Sequence, residues 1–174
     1  KRLRMYKLRS NVTIEESPLK VYRGTGPAPE DALPDPRHPD MGWRAYRNTP
    51  QTDDTTDWDA LRVTYMIPET GAELTSDSFI LEMGFERLNG VEIRKGCYVG
   101  QEVTARMKHK TELRKGLVTV EVEGSAPLGT EIMAGEKTAG TLYTQAEGRG
   151  IAYLRFDRAK DDMRAGDAVV RLAQ

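Results

Sequence analysis

The sequence holds a single cysteine, Cys97, in 174 residues, so no disulfide framework forms within it. It has two histidines, His38 and His109, too far apart for the spacing of a zinc or other metal site. An excess of either charge is missing as well. Lys and Arg total 26 against 27 Asp and Glu, which argues against a general nucleic-acid binder, whose basic surplus shows in the totals. No apolar run approaches the ~20 residues that carry a helix across a bilayer, and no membrane partner is expected. Internal repeats and low-complexity tracts are absent too. At 38% hydrophobic, the chain is long enough to bury a core: one ordinary domain, or a domain with a small appendage. The cysteine usage fits a reducing compartment.

Elements follow from periodicity. "KRLRMYKL" at the start spaces Leu3, Tyr6 and Lys7 as a helix without a capping residue before it, as in the last turns of a helix whose start lies upstream. "NVTIEES" and "LKVYRG" alternate apolar and polar residues and read as strands, as does "MGWRAYRN". "GTGPAPEDALPDPRHPD" between them is a turn series. "TDDTTDWDALRVTYMIPETG" predicts a helix. Trp58, Leu61, Tyr65 and Met66 recur at three- and four-residue spacing, Asp and Thr crowd its start, and Pro68 closes it. Trp43 and Trp58 are assigned to the core. From Lys115 onward the pattern changes to five or so short alternating runs with glycine turns, the mark of a small, closed or nearly closed antiparallel barrel.

The densest chemistry lies in "RKGCYVGQEV", residues 94–103. Gly96 and Gly100 bracket Cys97 and allow a positive φ or a close approach by a ligand. A helix starting near Val99 or Gly100 would set the thiol close to free N–H groups, with Arg94 and Lys95 beside it; such surroundings favour a thiolate. A nucleophile, a redox sensor, a metal ligand and a buried packing residue all remain compatible with these residues. No histidine lies near enough in sequence to support a protease-like dyad.

"KGCYVGQE", Lys95 to Glu102, resembles the signature of YgfZ-type folate-binding proteins, relatives of the glycine-cleavage T-protein. The resemblance extends to "LRVTYMIPETG", "FILEMGFERLNGV", Arg106 and the terminal barrel. It implies an α+β chain: a partial GcvT-like folate-binding domain over residues 1–111, its N-terminal part absent, followed by a C-terminal antiparallel β-barrel over residues 112–174. It also implies tetrahydrofolate or a one-carbon derivative as cofactor, and a role in making or maintaining iron–sulfur enzymes, including those that modify tRNA. Iron–sulfur proteins or their assembly factors are the implied partners. The implied location is the cytoplasm in a bacterium or the mitochondrial matrix in a eukaryote. The T-protein aspartate tied to aminomethyl transfer lies upstream of the matching region, so no transfer chemistry is assigned to this stretch.

On this resemblance Cys97 is the functional thiol, with Lys95 beside it. Glu82 matches a T-protein glutamate that binds the pterin ring, a role suited to a carboxylate that accepts two parallel N–H bonds. Arg62, next to the buried stripe of its helix, resembles an arginine that orients a pocket carboxylate. Tyr98, Gln101, Glu102 and Arg106 complete the candidate ligand contacts. Plainer roles stand beside these: a solvated arginine, a packed tyrosine, acids in a first helical turn. Arg106, Lys108, His109, Lys110, Arg114 and Lys115 form the most basic stretch, suited to a polyglutamate tail, to tRNA phosphates, or simply to a solvated helix end. Aminomethyl transfer and tRNA binding are the alternative activities; T-proteins lack the "KGCYVGQE" string.

Overall fold

The computed structural model describes residues 2–49, 55–110, 112–160 and 162–173. The elements are α1 (Arg2–Lys7), β1 (Lys20–Gly24), β2 (Leu33–Pro34), a 3-10 turn (Pro39–Met41), β3 (Trp43–Arg47), α2 (Trp58–Thr64) and α3 (Gln101–Lys110). Six strands follow: β4 (Lys115–Glu123), β5 (Thr130–Ala134), β6 (Lys137–Ala146), β7 (Arg149–Arg155), β8 (Met163–Ala165) and β9 (Ala168–Leu172).

The first three strands form an antiparallel sheet in the order β1-β3-β2, with Tyr22 opposite Ala45 on its buried face. The strand expected over "NVTIEES" does not form. Among the described residues no strand pairs with it, and Val12 stays 52% exposed. Alternation yields a strand only where one face has something to bury against. Trp43 and Trp58, assigned to the core, are both half-buried.

Helix α2 is shorter than the sequence predicts; the predicted start at residues 52–54 lies outside the described residues. Asp57 caps it by accepting from the Ala60 N–H at 2.9 Å. It ends before Pro68 in a paired motif: the Ile67 N–H bonds Arg62 O at 2.8 Å and the Met66 N–H bonds Val63 O, with Met66 at φ +50° in the place glycine usually takes. Two faces of α2 are packed. Trp58, Leu61 and Tyr65 meet Met41, Ile67 and Leu88, while Val63 and Met66 meet Met83, Leu117 and Ile151.

The six C-terminal strands close a barrel in the order β4-β7-β6-β5-β8-β9, every pair antiparallel. Val120, Val122, Ile132, Leu142, Leu154, Met163 and Val170 fill it, with Ala139, Ala152, Ala165 and Ala168 between them. Small residues are needed because so narrow a barrel cannot hold large side chains at every inward position. A Cβ on Gly140 would sit 2.0 Å from Tyr153 O, so no other residue fits there. Strand β7 is apolar on both faces for a different reason. Ala152 and Leu154 point into the barrel, while Ile151 and Tyr153 point outward beneath α2 and the 79–88 segment. Each fully buried Val, Leu or Ile contributes roughly 1.5–3 kcal/mol of transfer free energy, so this outer patch binds the preceding segment firmly to the barrel.

Candidate functional site

The motif segment lies on the surface. Cys97 is an exposed free thiol, and Lys95, Tyr98 and Glu102 are exposed around it. The packing role open to this cysteine from sequence therefore does not apply. Gly100 takes φ +86°, which an L side chain rarely adopts, and this turns the chain into α3. The helix starts at Gln101, whose side-chain carbonyl accepts from the Tyr98 N–H at 3.1 Å. Cys97 thus lies upstream of the turn that opens α3. Arg94 pairs with Glu92 at 3.3 Å, so part of the positive charge expected beside the thiol is already countered. On α3, Glu102 and Arg106 share a shallow depression of about 440 Å³ with Val103, Ala105 and His109. Lys108 ties α3 to Glu86 at 2.8 Å. Of the other basic residues singled out, the side chain of Lys110 lies outside the described residues, Arg114 is exposed, and Lys115 belongs to β4.

Glu82 lies apart from this segment, 7% exposed at the foot of the barrel. Its backbone carbonyl accepts from the Leu117 N–H of β4 at 2.9 Å. Its side-chain Oε2 accepts from the Tyr153 hydroxyl of β7, with Lys115 Nζ 3.9 Å away. The Lys115 ammonium also sits 5.3 Å from the Tyr153 ring centroid, within cation–π range. Burial, then the hydrogen bond to Glu82 and its charge, raise the Tyr153 hydroxyl above the ordinary phenol range. It therefore stays protonated and donates. Glu82 Oε1 has no hydrogen-bond partner among the described residues, yet it is not sealed from solvent, because Trp43 Nε1 alone among them is both buried and unpartnered.

Arg62 is buried at 3% exposure and faces the barrel. Its guanidinium donates to Glu73 Oε2 at 3.0 Å, Thr144 Oγ1 at 2.8 Å, Ile67 O at 3.1 Å and Asp59 Oδ1 at 3.1 Å, with Glu69 at 3.2 Å. Thr144 in turn donates to Glu73 at 2.5 Å, and the Glu69 N–H donates to Glu73 at 2.8 Å. Burial drives the Glu73 carboxyl up, but the Thr144 and Glu69 hydrogen bonds and the Arg62 charge outweigh it and hold it below 4.5. Arg62 in this state braces α2 against β6. Nearby, Arg87 donates to Tyr65 O at 3.0 Å and Met66 O at 2.6 Å, fastening the 79–88 segment to the end of α2.

The eight candidate residues therefore fall into two groups. Lys95, Cys97, Tyr98, Gln101, Glu102 and Arg106 follow one another on the exposed segment, while Glu82 and Arg62 sit at the barrel junction. Tyr153, Lys115, Glu73 and Thr144 were not singled out for these contacts. Tyr153, a polar-tipped residue inside the apolar run "GIAYLRF", was the one available signal.

The profile described as the CAF17 C-terminal beta-barrel domain matches residues 114–174, so the closed barrel is one of that class. The mouse mitochondrial iron-sulfur cluster assembly factor IBA57 is 33% identical over 92% of this chain, and the human protein of the same name is 29% identical over 92%. The tRNA-modifying protein YgfZ of Photobacterium profundum is 29% identical over 66% of the chain and 38% of its own length. The chain spans about half the length of the two IBA57 proteins, 54% of each. It belongs to the YgfZ/IBA57-type family of GcvT-like proteins.

Proposed function

We propose that this chain is part of a tetrahydrofolate-binding accessory factor for iron–sulfur protein assembly or maintenance, with Cys97 as its functional thiol. The carrying observation is the exposed Cys97 within "KGCYVGQE", in a chain similar along 92% of its length to a protein named as an iron-sulfur cluster assembly factor. Residues 1–111 contribute a partial GcvT-like folate-binding domain and residues 112–174 the barrel domain. Lys95 and Arg106 supply cationic contacts, Tyr98 an aromatic face, and Gln101 and Glu102 polar contacts for the ligand or its partner. Glu82 binds the amino-pyrimidine edge of the pterin through its open oxygen, and Arg62 acts by holding the α2 side of that region in place. The partners are iron–sulfur proteins or assembly factors, in the mitochondrial matrix of a eukaryote or the cytoplasm of a bacterium. The YgfZ relative, named as tRNA-modifying, supports a downstream effect on iron–sulfur-dependent tRNA modification.

The test is complementation of cells that lack the protein. Cys97→Ala is expected to accumulate to the wild-type level yet leave iron–sulfur enzyme activities low. Full restoration by the alanine variant would remove the thiol from the reading.

A further inference from the structure

A cavity of about 410 Å³ opens beside the turn that follows α2, and neither Cys97 nor Glu82 lines it. Pro68, Leu74, Phe85 and Leu88 make its apolar wall, and Arg37 and Glu69 bring charge to it. The parts of this wall are pinned together. Asn89 Nδ2 donates to Pro36 O at 2.7 Å, tying the 85–90 stretch to the turn that carries Arg37. Gly90 donates its N–H to Phe85 O at 2.7 Å, and a Cβ at Gly90 would sit 2.7 Å from Phe85 Cδ1 and displace the ring. The two charged groups are unevenly satisfied, in opposite senses. Asp35 accepts from Arg37 Nε at 2.9 Å and Nη2 at 2.7 Å, which fixes the guanidinium while Nη1 keeps no partner among the described residues. Burial raises the Asp35 carboxyl, but the Arg37 hydrogen bonds and the charges of Arg37 and Arg44 hold it below its ordinary value. Two guanidinium groups thus share one buried acid. At Glu69 the balance is reversed, since Arg62 serves Asp59, Glu69 and Glu73, three carboxylates for one cation. Glu69 Oε1 accepts no hydrogen bond among the described residues. The cavity is therefore short of an anion beside Arg37 and of a cation beside Glu69.

We propose that this cavity binds a free α-amino acid with an apolar side chain. Its carboxylate meets Arg37 Nη1, its ammonium meets Glu69 Oε1, and its side chain lies against Leu74, Phe85 and Leu88. An ammonium and a carboxylate on one carbon supply both missing charges at once. A fatty acid or a simple amine would meet only one of them. The volume is near the low end of the ~300–1,000 Å³ usual for small-molecule sites, which suits a ligand of this size. The apolar wall supplies affinity, and the two charged groups set the orientation. Glu69 and Arg37 also hold the ligand against fixed partners, because each is already anchored on one side, by Arg62 at 3.2 Å and by Asp35. The site is separate from the residues assigned to folate; Arg62 enters only as the partner of Glu69.

The experiment is calorimetry on the whole protein with three probes: L-phenylalanine, N-acetyl-L-phenylalanine, which lacks the ammonium, and L-phenylalaninamide, which lacks the carboxylate. L-Phenylalanine is expected to bind about fivefold more tightly than either blocked form, the upper worth of a half-exposed ion pair. Glu69→Gln should weaken L-phenylalanine by about the same factor and leave the N-acetyl form unchanged. Arg37→Gln should weaken L-phenylalanine likewise and leave the amide unchanged. Arg37→Lys keeps a cation for the buried Asp35 and should show the same pattern, which separates loss of the contact from loss of the fold. No binding of L-phenylalanine or L-leucine at millimolar concentration overturns the proposal. Equal affinity for the three probes also overturns it, leaving an apolar groove without charge recognition. Tighter binding of N-acetyl-L-phenylalaninamide than of the free amino acid overturns it in favour of a docked peptide. Binding that ignores both the Glu69 and the Arg37 variants places the ligand elsewhere and overturns it too. None of these outcomes bears on the role of Cys97, so the function proposed above stands or falls separately.

Discussion

Replacement of Arg62 by methionine separates a buried ion pair from an ordinary surface one. The Glu73 side chain is 0% exposed and that of Arg62 4%, with 3.0 Å between guanidinium and carboxylate. Arg62→Met fills much of the same volume but leaves the Glu73 carboxylate buried without a cation, held only by Thr144 and the Glu69 N–H. Breaking a buried pair in this way costs about 3–5 kcal/mol, against about 0–1 kcal/mol for an exposed pair. The reverse change, Glu73→Gln, should cost less, about 1–3 kcal/mol, because Arg62 keeps Asp59 at 3.1 Å and Glu69 at 3.2 Å, both more than half exposed. The assay is urea denaturation at several pH values. At a slope of roughly 2 kcal/mol per molar urea, the Arg62 variant should lose on the order of 2 M in its midpoint at neutral pH. The pH dependence supplies a second, independent sign. In the wild type the Glu73 carboxyl is depressed, so its contribution is complete above the unfolded value of 4.5 and is lost as pH falls through the folded value. In Arg62→Met the guanidinium's pull on the carboxylate is gone while Thr144 and the Glu69 N–H still oppose burial, so the folded value of Glu73 lies higher than in the wild type. The stability gap between wild type and variant should therefore widen as pH rises and Glu73 ionises, and narrow in acid. A loss below about 1 kcal/mol, or a pH slope equal to that of the wild type, would refute the bracing role.

Other outcomes follow from the same geometry. Gly140→Ala forces a Cβ to within 2.0 Å of Tyr153 O and should destabilise the barrel by about 1–3 kcal/mol or more; wild-type stability in urea would contradict the close approach. Leu154→Ala opens a cavity at a fully buried barrel position and should cost about 2–5 kcal/mol in the same assay. Cys97→Ser should change stability by no more than about 0.5 kcal/mol, since the side chain is exposed. The native thiol should also react with iodoacetamide without denaturant, and protection from that reagent would contradict the surface placement.

Several parts of this molecule are legible one residue at a time. The alternating runs from Lys115 foretell a small antiparallel barrel, although six strands form where five or so are expected. Asp57, Pro68 and the stripe of Trp58, Leu61, Tyr65 and Met66 locate α2, yet its length depends on the turn at Met66, which no periodicity marks. "NVTIEES" shows the opposite failure, a pattern that alternates with nothing to bury against. The "KGCYVGQE" string carries its resemblance without any structure, but whether its thiol is buried or open is a tertiary property.

By itself the sequence determined the one-cysteine chemistry, the balanced charge, the barrel's strand pattern and the family signature, because each is written in local order or composition. Only the tertiary structure decided what Glu82 and Arg62 touch. Tyr153 lies 71 residues from Glu82, and Thr144 lies 82 from Arg62. Pairings at that separation are set by how the barrel closes and how α2 seats on its outer face. Neither the 2-residue nor the 3.6-residue period reaches that far, so closure converts two polar residues of an apolar stretch into partners of specific barrel side chains.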